Sequence, residues 1–348
     1  MRSEIGSEFW GKSQNKAVIN KQVTGARNTV DLLSGRTALD FIVRDIKKEH
    51  FFSRVLLPEY CCSSMIEPFI RNGVKVSFYE IKGNAEIYCD DPIIAYDAIL
   101  ILDFFGYKNS RIEKIAQKEK NKNKIVIYDA THMLDWHPGL EKFTDYAFCS
   151  YRKWFYCNFA RVKKSGGQFS IALPEKFNKS YCEIRDRAAN LKSIFMEKPN
   201  GGKKEFLDLF QRAENILEKN YVNFRGQPVE YDLKKIKSVR QRNAKYLIDA
   251  LASVQEICLW KMAVREEDIP LCVPILVKNR LRDQLRNYLV KNDIYCPIHW
   301  PINPLYMKKY PLKVYEEELS LVCDQRYDLN DMQREVEMIY KFFGEYKK

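Results

Sequence analysis

Two strand-like segments in the middle of the chain end in polar side chains that could do chemistry. The first apolar run ends at Asp129, with His132 shortly after it. The second ends at Ser150 and is followed closely by Lys153. Ligands of open α/β sheets bind beyond the carboxyl ends of the strands, so we expect the Asp129 carboxylate and the Lys153 amine to face one ligand.

An amine and a carboxylate placed in this way meet two requirements of pyridoxal phosphate. The cofactor needs a lysine that holds its aldehyde as an imine. It also needs an acid that keeps its pyridine nitrogen protonated, because the cationic ring withdraws carbanion electrons. Lys153 is the candidate amine, and its place between an apolar strand and Trp154 predicts a buried side chain. Asp129 is the candidate acid, because an ionised aspartate stabilises a nearby pyridinium.

The third requirement is a site for the phosphate, and the segment at residues 32–39 fits it. This segment contains Gly35 and leads directly into an apolar-periodic helix. Gly35 lets the backbone approach an anion closely, and the first free N–H groups of the helix point at that anion. Arg36 adds a positive charge, and Thr37 and Ser150 add hydroxyl donors. The segment alone is weak support, because serine and glycine before a helix are also ordinary capping residues.

In combination these motifs resemble the DegT-type sugar aminotransferases, a family of fold type I pyridoxal-phosphate enzymes, and in particular a divergent subgroup of them. The resemblance covers nearly the whole chain, and it includes further segments at 5–10, 57–62, 297–301 and 324–327. It implies an α/β fold of the fold type I PLP-transferase kind. Such a fold has a mostly parallel central sheet with helices on both faces, plus a smaller carboxyl-terminal α+β domain.

The resemblance also implies a function and an assembly. The function is that of a PLP-dependent aminotransferase, which moves an amino group from glutamate to a keto group of a nucleotide-linked sugar in surface polysaccharide biosynthesis. The assembly is a homodimer with its active sites at the subunit interface. The polar stretch at 197–204 falls where relatives send a loop across to the partner.

By the same resemblance, individual residues receive roles around the cofactor. Lys153 is the catalytic amine, His132 lies beside the cofactor ring, and Cys62 stands where relatives stack an aromatic side chain. His299 and Arg326 are the candidates for binding substrate, and no metal ligand is expected. The candidates for binding the cofactor are Gly35, Arg36, Thr37, Cys62, Asp129, His132 and Ser150.

Two alternatives stay open because the chain departs from the family pattern. Residues 156–160 lack the glycines that often follow the lysine, and the Asn-Tyr-Arg signature of many relatives is missing. One alternative is therefore a catalytically silent PLP-fold regulator or binding protein. The other is a metal-dependent hydrolase, whose ligands would be Asp129, His132, Asp135 and His137.

Length and composition limit the remaining classes. A chain of 348 residues predicts two domains, which we place at 1–225 and 226–348. The net charge of +12 does not indicate nucleic-acid binding, because lysines are mixed with acids and no nucleic-acid motif is present. No apolar run could span a membrane, and the start lacks a signal-peptide core, so we expect a cytoplasmic protein. The ten cysteines are scattered and predict free thiols.

The elements that must position these residues alternate between strand and helix from about residue 30 to about residue 220, as a parallel sheet requires. Several strand candidates are apolar without alternation, which indicates that both of their faces are covered. Strands are expected at 55–57, 74–78, 99–102, 125–128, 146–149, 257–260, 271–277 and 294–296. A further strand is expected at 168–172, with a polar linker as the alternative there. Later helices are expected at 233–251, 281–290 and 332–343.

Overall fold

The structure is a computed structural model that describes residues 4–11, 27–82, 86–88, 94–199, 202–301 and 313–346. Its strands are β1 (Ile5–Gly6), β2 (Thr29–Leu32), β3 (Arg54–Pro58), β4 (Lys75–Lys82), β5 (Glu86–Tyr88), β6 (Ala98–Leu102), β7 (Ile125–Asp129), β8 (Tyr146–Ser150), β9 (Ala160–Lys164), β10 (Ile257–Leu259), β11 (Val273–Val277), β12 (Ile294–Tyr295) and β13 (Glu318–Leu321). Its helices are α1 (Gly35–Glu49), α2 (Ser63–Arg71), α3 (Ile112–Asn121), α4 (Lys179–Glu197), α5 (Lys203–Lys219), α6 (Leu233–Leu251), α7 (Arg282–Lys291), α8 (Lys313–Glu317) and α9 (Leu329–Tyr346).

Eight strands form the central sheet, in the order β2-β9-β8-β7-β6-β3-β4-β5. The pairs between β3, β4, β6, β7 and β8 are parallel, whereas β9 runs antiparallel to both of its neighbours. Every residue of β6 and β8 is buried, which explains why these strands are apolar without alternation. The carboxyl ends of β7 and β8 lie side by side, because Asp129 pairs with Phe148 in the register.

A second, smaller core lies in the carboxyl-terminal part of the chain. There β10, β11 and β13 form an antiparallel sheet, and α6, α7 and α9 pack with it around a shared apolar cluster. The strand β1 joins this part, because Ile5 pairs in parallel with Ile294 of β12 and Trp10 lies in the same cluster. The division at residues 225 and 226 stays a prediction.

Most of the expected strands are confirmed, but the expected strand at 168–172 is wrong. The strand that follows β8 along the chain is instead β9, at Ala160–Lys164. Residues 168–172 contain no strand: the N–H groups of Ser170 and Ile171 donate to the Asp45 carboxylate, at 2.6 and 3.2 Å. These side-chain bonds satisfy the backbone groups that a sheet neighbour would otherwise take up.

The helices α4 and α5 pack against each other as a hairpin. Along the chain they follow the last strand of the central sheet and precede α6. Asn178 caps α4, since its side chain accepts a hydrogen bond from the Tyr181 N–H. Gly202 precedes α5 with a φ of 79°, a left-handed conformation that glycine adopts without strain. The intervening residues 200 and 201, within the stretch expected to cross to a partner, lie outside the described residues. No helix in the described ranges is long and apolar enough to cross a membrane.

Candidate active site

A cavity of about 220 Å³ opens where β7 and β8 end and α1 begins. The sequence places polar side chains at these strand ends, and the fold gathers them around one space. Seven predicted residues line the cavity: Gly35, Arg36, Cys62, Asp129, His132, Ser150 and Lys153. Other lining residues were not singled out as site residues from the sequence: Ser34, Leu39, Ser64, Met65, Leu102, Thr131, Phe148, Arg152, Glu214, Leu217 and Trp300.

Asp129 is the buried acid of the cavity. Its side chain is 5% exposed, and its Oδ1 accepts a hydrogen bond from the Thr131 N–H at 2.8 Å. Burial raises the pKa of Asp129 to about 6, although the bonds from Thr131 and the charge of Lys153 act in the opposite direction. A carboxyl group with this pKa can hold or release a proton near neutrality.

His132 lies beside Asp129 as a neutral, fixed ring. Its Nδ1 accepts the backbone N–H of Phe105 at 3.1 Å, so the ring proton is assigned to Nε2. Burial, together with the nearby charge of Lys153, lowers the pKa of His132 to about 3. The ring stacks between Phe105 and Trp300, with centroids 5.7 and 5.5 Å away. His132 can therefore donate a hydrogen bond from a fixed position.

Lys153 is exposed in the cavity, so the expectation of a buried side chain is wrong. It ends a short 3-10 turn at Tyr151–Lys153, and the side chain that packs inward there is Trp154, which is fully buried. The Trp154 Nε1 donates to the Thr131 carbonyl at 2.7 Å, which holds the turn against the end of β7. Among the described residues, none lies within hydrogen-bond or ion-pair distance of the Lys153 amine.

The start of α1 forms the opposite end of the cavity. Ser34 caps the helix, because its hydroxyl accepts the Thr37 N–H at 3.2 Å. Gly35 approaches Ser150 so closely that an added Cβ would lie 3.1 Å from the serine Cβ. Such a cradle of helix N–H groups and a hydroxyl suits a phosphate. Thr37, however, is turned away from the cavity, since its hydroxyl donates to the Tyr221 carbonyl at 2.8 Å.

Two arginines add positive charge to the walls. The Arg36 Nε is buried, has no hydrogen-bond partner among the described residues, and lies 3.5 Å from a Glu67 oxygen. The guanidinium of Arg152 pairs with Glu214 of α5 at 2.6 Å. Reasoning from the sequence missed Glu214, because it belongs to a helix far along the chain whose docking no local pattern reveals.

One aromatic side chain of the cavity, Trp300, comes from the carboxyl-terminal part of the chain. Cys62 is half-buried at the start of α2, and its Sγ lies 2.9 Å from the Ser64 hydroxyl. Trp300 lines the cavity and lies 5.1 Å from the Tyr60 ring. The sequence feature that could have identified Trp300 is its neighbour His299, because the prolines on both sides of this pair predict an extended loop.

The two predicted substrate residues lie outside the cavity lining. His299 is buried beside it, with its ring centroid 5.8 Å from that of His132. Arg326 is buried in an ion pair, with its Nη2 2.7 Å from Asp324, and it also donates to the carbonyls of Ser7 and Glu8. Arg326 thus holds the amino-terminal segment, and a role with substrate stays a prediction.

The metal-site alternative finds no ligand cluster in the described part of the chain. Within residues 4–11, 27–82, 86–88, 94–199, 202–301 and 313–346, no three histidine, cysteine or acidic side chains are grouped so that they could hold a metal ion. His137, one of the four suggested ligands, is buried, and its Nδ1 has no hydrogen-bond partner in the described part of the chain.

Comparisons with known proteins point to one enzyme family. Residues 231–327 match the model of the DegT/DnrJ/EryC1/StrS aminotransferase family. This match confirms the resemblance and the enzyme class stated from the sequence, since that family consists of aminotransferases, which transfer nitrogenous groups. Aminotransferases of this family use pyridoxal phosphate. Among curated proteins, none matches the sequence.

Solved structures confirm the fold class at low sequence identity. Helicobacter pylori PseC, an aminotransferase involved in the biosynthesis of pseudoaminic acid, is 14% identical with a TM-score of 0.64, over 97% of this chain and 100% of that one. Bacillus subtilis NtdA, solved with bound cofactor PMP, is 15% identical with a TM-score of 0.60, over 90% and 72%. DesI, solved in the presence of its TDP-sugar product, is 12% identical with a TM-score of 0.60, over 92% and 83%.

Proposed function

We propose that this chain, part of which matches the DegT/DnrJ/EryC1/StrS aminotransferase family, is a pyridoxal-phosphate-dependent aminotransferase that acts on a nucleotide-linked keto sugar. The observation that carries the proposal is one cavity that combines a lysine amine with no partner among the described residues, a buried acid and a helix N-terminus. Glutamate as donor, a role in surface polysaccharide synthesis and a cytoplasmic location are finer parts of the proposal. The TDP-sugar in the DesI structure supports the sugar class by analogy.

The residues of the cavity fit this cofactor. Gly35 leaves the space that a Cβ would fill, and the Ser150 hydroxyl lies across from it, so the two would hold the phosphate. Arg36 has a buried Nε without a hydrogen-bond partner in the described chain, which gives an anion a charged donor. When bound, pyridoxal phosphate supplies an aldehyde for amine exchange and a ring that withdraws electrons from the substrate carbon.

The protein's own part in the reaction is to hold and move protons. Asp129 would face the pyridine nitrogen and keep a proton on it. Burial raises the pKa of Asp129 to about 6, but a positive charge beside the carboxyl group lowers it, so Asp129 would stay ionised next to the protonated ring. His132, neutral and fixed by Phe105, would donate its Nε2 proton to an oxygen. Lys153, exposed and unpaired within the described residues, can carry a proton to and from the substrate carbon.

Borohydride reduction followed by peptide mass spectrometry tests the proposal. Purified protein mixed with pyridoxal phosphate should give a visible absorbance band that borohydride removes, and the reduced adduct should map to Lys153. Transfer of nitrogen from labelled glutamate to a nucleotide-linked keto sugar should then be detectable. A reducible adduct without any transfer would favour a cofactor-binding regulator, and no adduct at Lys153 would contradict the assignment of the lysine.

A further inference from the structure

A buried polar network lies behind the cavity, in the carboxyl-terminal sheet. Glu318 and Ser320 of β13 are fully buried, and His299 is 7% exposed. The His299 backbone N–H donates to Glu318 Oε2 at 2.7 Å, and the Ser320 hydroxyl donates to Glu318 Oε1 at 2.5 Å. The same hydroxyl oxygen lies 2.8 Å from His299 Nδ1. A chain of hydrogen bonds therefore connects the Glu318 carboxylate with the His299 ring.

The single hydroxyl proton of Ser320 determines the tautomer of His299. While this proton is donated to an ionised Glu318, Ser320 can only accept from Nδ1, so the ring proton stays on Nδ1 and Nε2 carries a lone pair. Uptake of one proton at Nε2 shifts the Nδ1 proton to Ser320 and the Ser320 proton to Glu318. The ring then carries its proton on Nε2 and Glu318 is neutral, so protons balance.

The other ring nitrogen, Nε2, takes no part in this network, and the ring lies next to the site. The His299 ring meets His132, which lines the cavity, edge to face at 5.8 Å. No described residue pairs with His299 Nε2. Burial and the nearby charge of Lys153 hold the pKa of His299 well below its usual range, so the ring changes tautomer without becoming charged.

We propose that Glu318 is a positioning residue that acts through Ser320 and decides whether His299 Nε2 accepts or donates a hydrogen bond towards the substrate cavity. An acceptor at this place favours a substrate group that donates, such as a sugar hydroxyl. The part that concerns substrate rests on the proposed function, whereas the proton arrangement does not depend on it.

The groups packed around Glu318 support a change of ionisation near neutrality. Burial raises the pKa of Glu318 to about 8, against the lowering effects of its hydrogen bonds and of Arg282. Tyr60 and Cys272 also face this region, and burial raises the pKa of both well above their usual range, so both keep their protons. Glu318 is thus the group of the network that titrates in this range.

Nitrogen-15 NMR of the histidine rings tests the proposal directly. The full chain, labelled at histidine and free of cofactor, would be followed between about pH 6 and about pH 10, a range that includes both ionisation states of Glu318. The four histidines of the chain give few signals, and His299→Asn identifies the relevant one. We expect His299 to pass from the Nε2–H to the Nδ1–H tautomer with rising pH, with its midpoint near 8.

Variants separate the network from a general effect of burial. Glu318→Gln and, as a second test, Ser320→Ala should each abolish the pH-dependent change of tautomer. Glu335→Gln is the matched control: Glu335 is a fully buried glutamate of the same part of the chain, bonded to the Val322 N–H, and it should leave the change intact.

A His299 tautomer that is constant with pH in the unsubstituted protein, or one that still changes in both Glu318→Gln and Ser320→Ala, would overturn the inference. Because the measurement needs no cofactor, failure of the proposed aminotransferase function would leave these signals unaffected. The two hypotheses can therefore fail separately.

Discussion

Lys153 and Asp129 differ most in their access to water, although they face the same cavity. The lysine is exposed and unpaired in the described chain, whereas the aspartate is 5% exposed and bonded to the Thr131 backbone. An exposed amine contributes little to folding, so a change at Lys153 should act on chemistry alone. A buried acid with a raised pKa opposes folding at neutral pH, so a change at Asp129 should act on both.

Replacement of Lys153 by alanine should lower transamination by about 1,000-fold or more, because covalent and acid–base roles are lost together. The free energy of unfolding should stay nearly unchanged. Steady-state kinetics and urea unfolding of the same preparation check both statements. Lys142→Ala, at an exposed lysine 3.8 Å from Glu113, is the control and should keep full activity. Near-normal turnover in Lys153→Ala would remove this lysine from the mechanism.

Asp129→Asn should stabilise the cofactor-free protein while it removes most activity. Burial raises the pKa of Asp129 from 3.8 to about 6, so the folded state binds this proton more tightly than the unfolded chain does. The resulting stability is fully present below about pH 4 and is lost as the pH rises through about 6. Since asparagine does not ionise, the variant should gain on the order of 2 kcal/mol above pH 7.

Urea unfolding at about pH 5 and about pH 8 checks the stability prediction, because the advantage of the asparagine should grow between these values. The variant should still bind the cofactor. The Thr131 N–H can donate to the amide oxygen of the asparagine, which keeps that side chain in the position of the aspartate. Equal stability of both proteins at the higher pH would show that the carboxylate is not destabilising, and wild-type turnover would exclude Asp129 from the site.

At the scale of elements, helix α1 brings its first turn to the phosphate end, and the fit there is tight. Gly35→Ala adds a Cβ 3.1 Å from the Ser150 Cβ and 3.4 Å from its hydroxyl, so one of the two must shift. We expect about tenfold weaker binding of pyridoxal phosphate with an intact fold, a loss of roughly 1.4 kcal/mol. Fluorescence titration measures the affinity.

Gly166→Ala provides the matched control for this substitution. Nothing lies within 4 Å of a Cβ at Gly166, and its φ is not in the left-handed region, so the added methyl group meets neither neighbours nor backbone strain. The control should bind the cofactor as the unsubstituted protein does. Equal weakening in both variants would mean that the effect is not local to the start of α1.

The elements that could be predicted from the sequence are those whose residues are all apolar or strictly periodic. The strands β6, β7 and β8 were found because both faces are covered, and α6 and α9 because their apolar residues recur with the helical period. The strand β9 was missed because its half-buried positions carry Arg161 and Lys163. Arg161 is paired with Asp31 of β2 at 2.7 Å, a partner distant in sequence that no local pattern reveals.

The site was predictable to the same extent. Residues next to strand ends, such as Asp129 and Ser150, were found because topology alone brings such ends together. Trp300 and Glu214 were missed because they reach the cavity through the packing of separate elements. Thr37 was assigned to the cavity by its place in the motif, but its hydroxyl is directed to Tyr221. Side-chain direction within a helical turn depends on such tertiary partners.

At the scale of the whole molecule, we expect a homodimer with shared active sites. Two-fold dimers are the commonest soluble homo-oligomers. Helix α5 walls the cavity through Glu214 and Leu217, and the hairpin of α4 and α5 also exposes large apolar side chains, with Ile194 59% and Leu207 43% exposed. Lys203, in the stretch expected to cross to a partner, lies 3.0 Å from Glu4 of its own chain.

Sedimentation at micromolar protein concentration, with and without pyridoxal phosphate, checks the assembly. The unsubstituted protein should sediment as a dimer, and Ile194→Glu combined with Leu207→Glu should shift it towards monomer, because charges replace apolar area at the interface. Met262→Glu is the control, since Met262 is 67% exposed but lies far along the chain from the hairpin, between β10 and β11. A monomer that nevertheless holds the cofactor and turns over would contradict the shared-site model, because every group needed for catalysis would then lie within one chain.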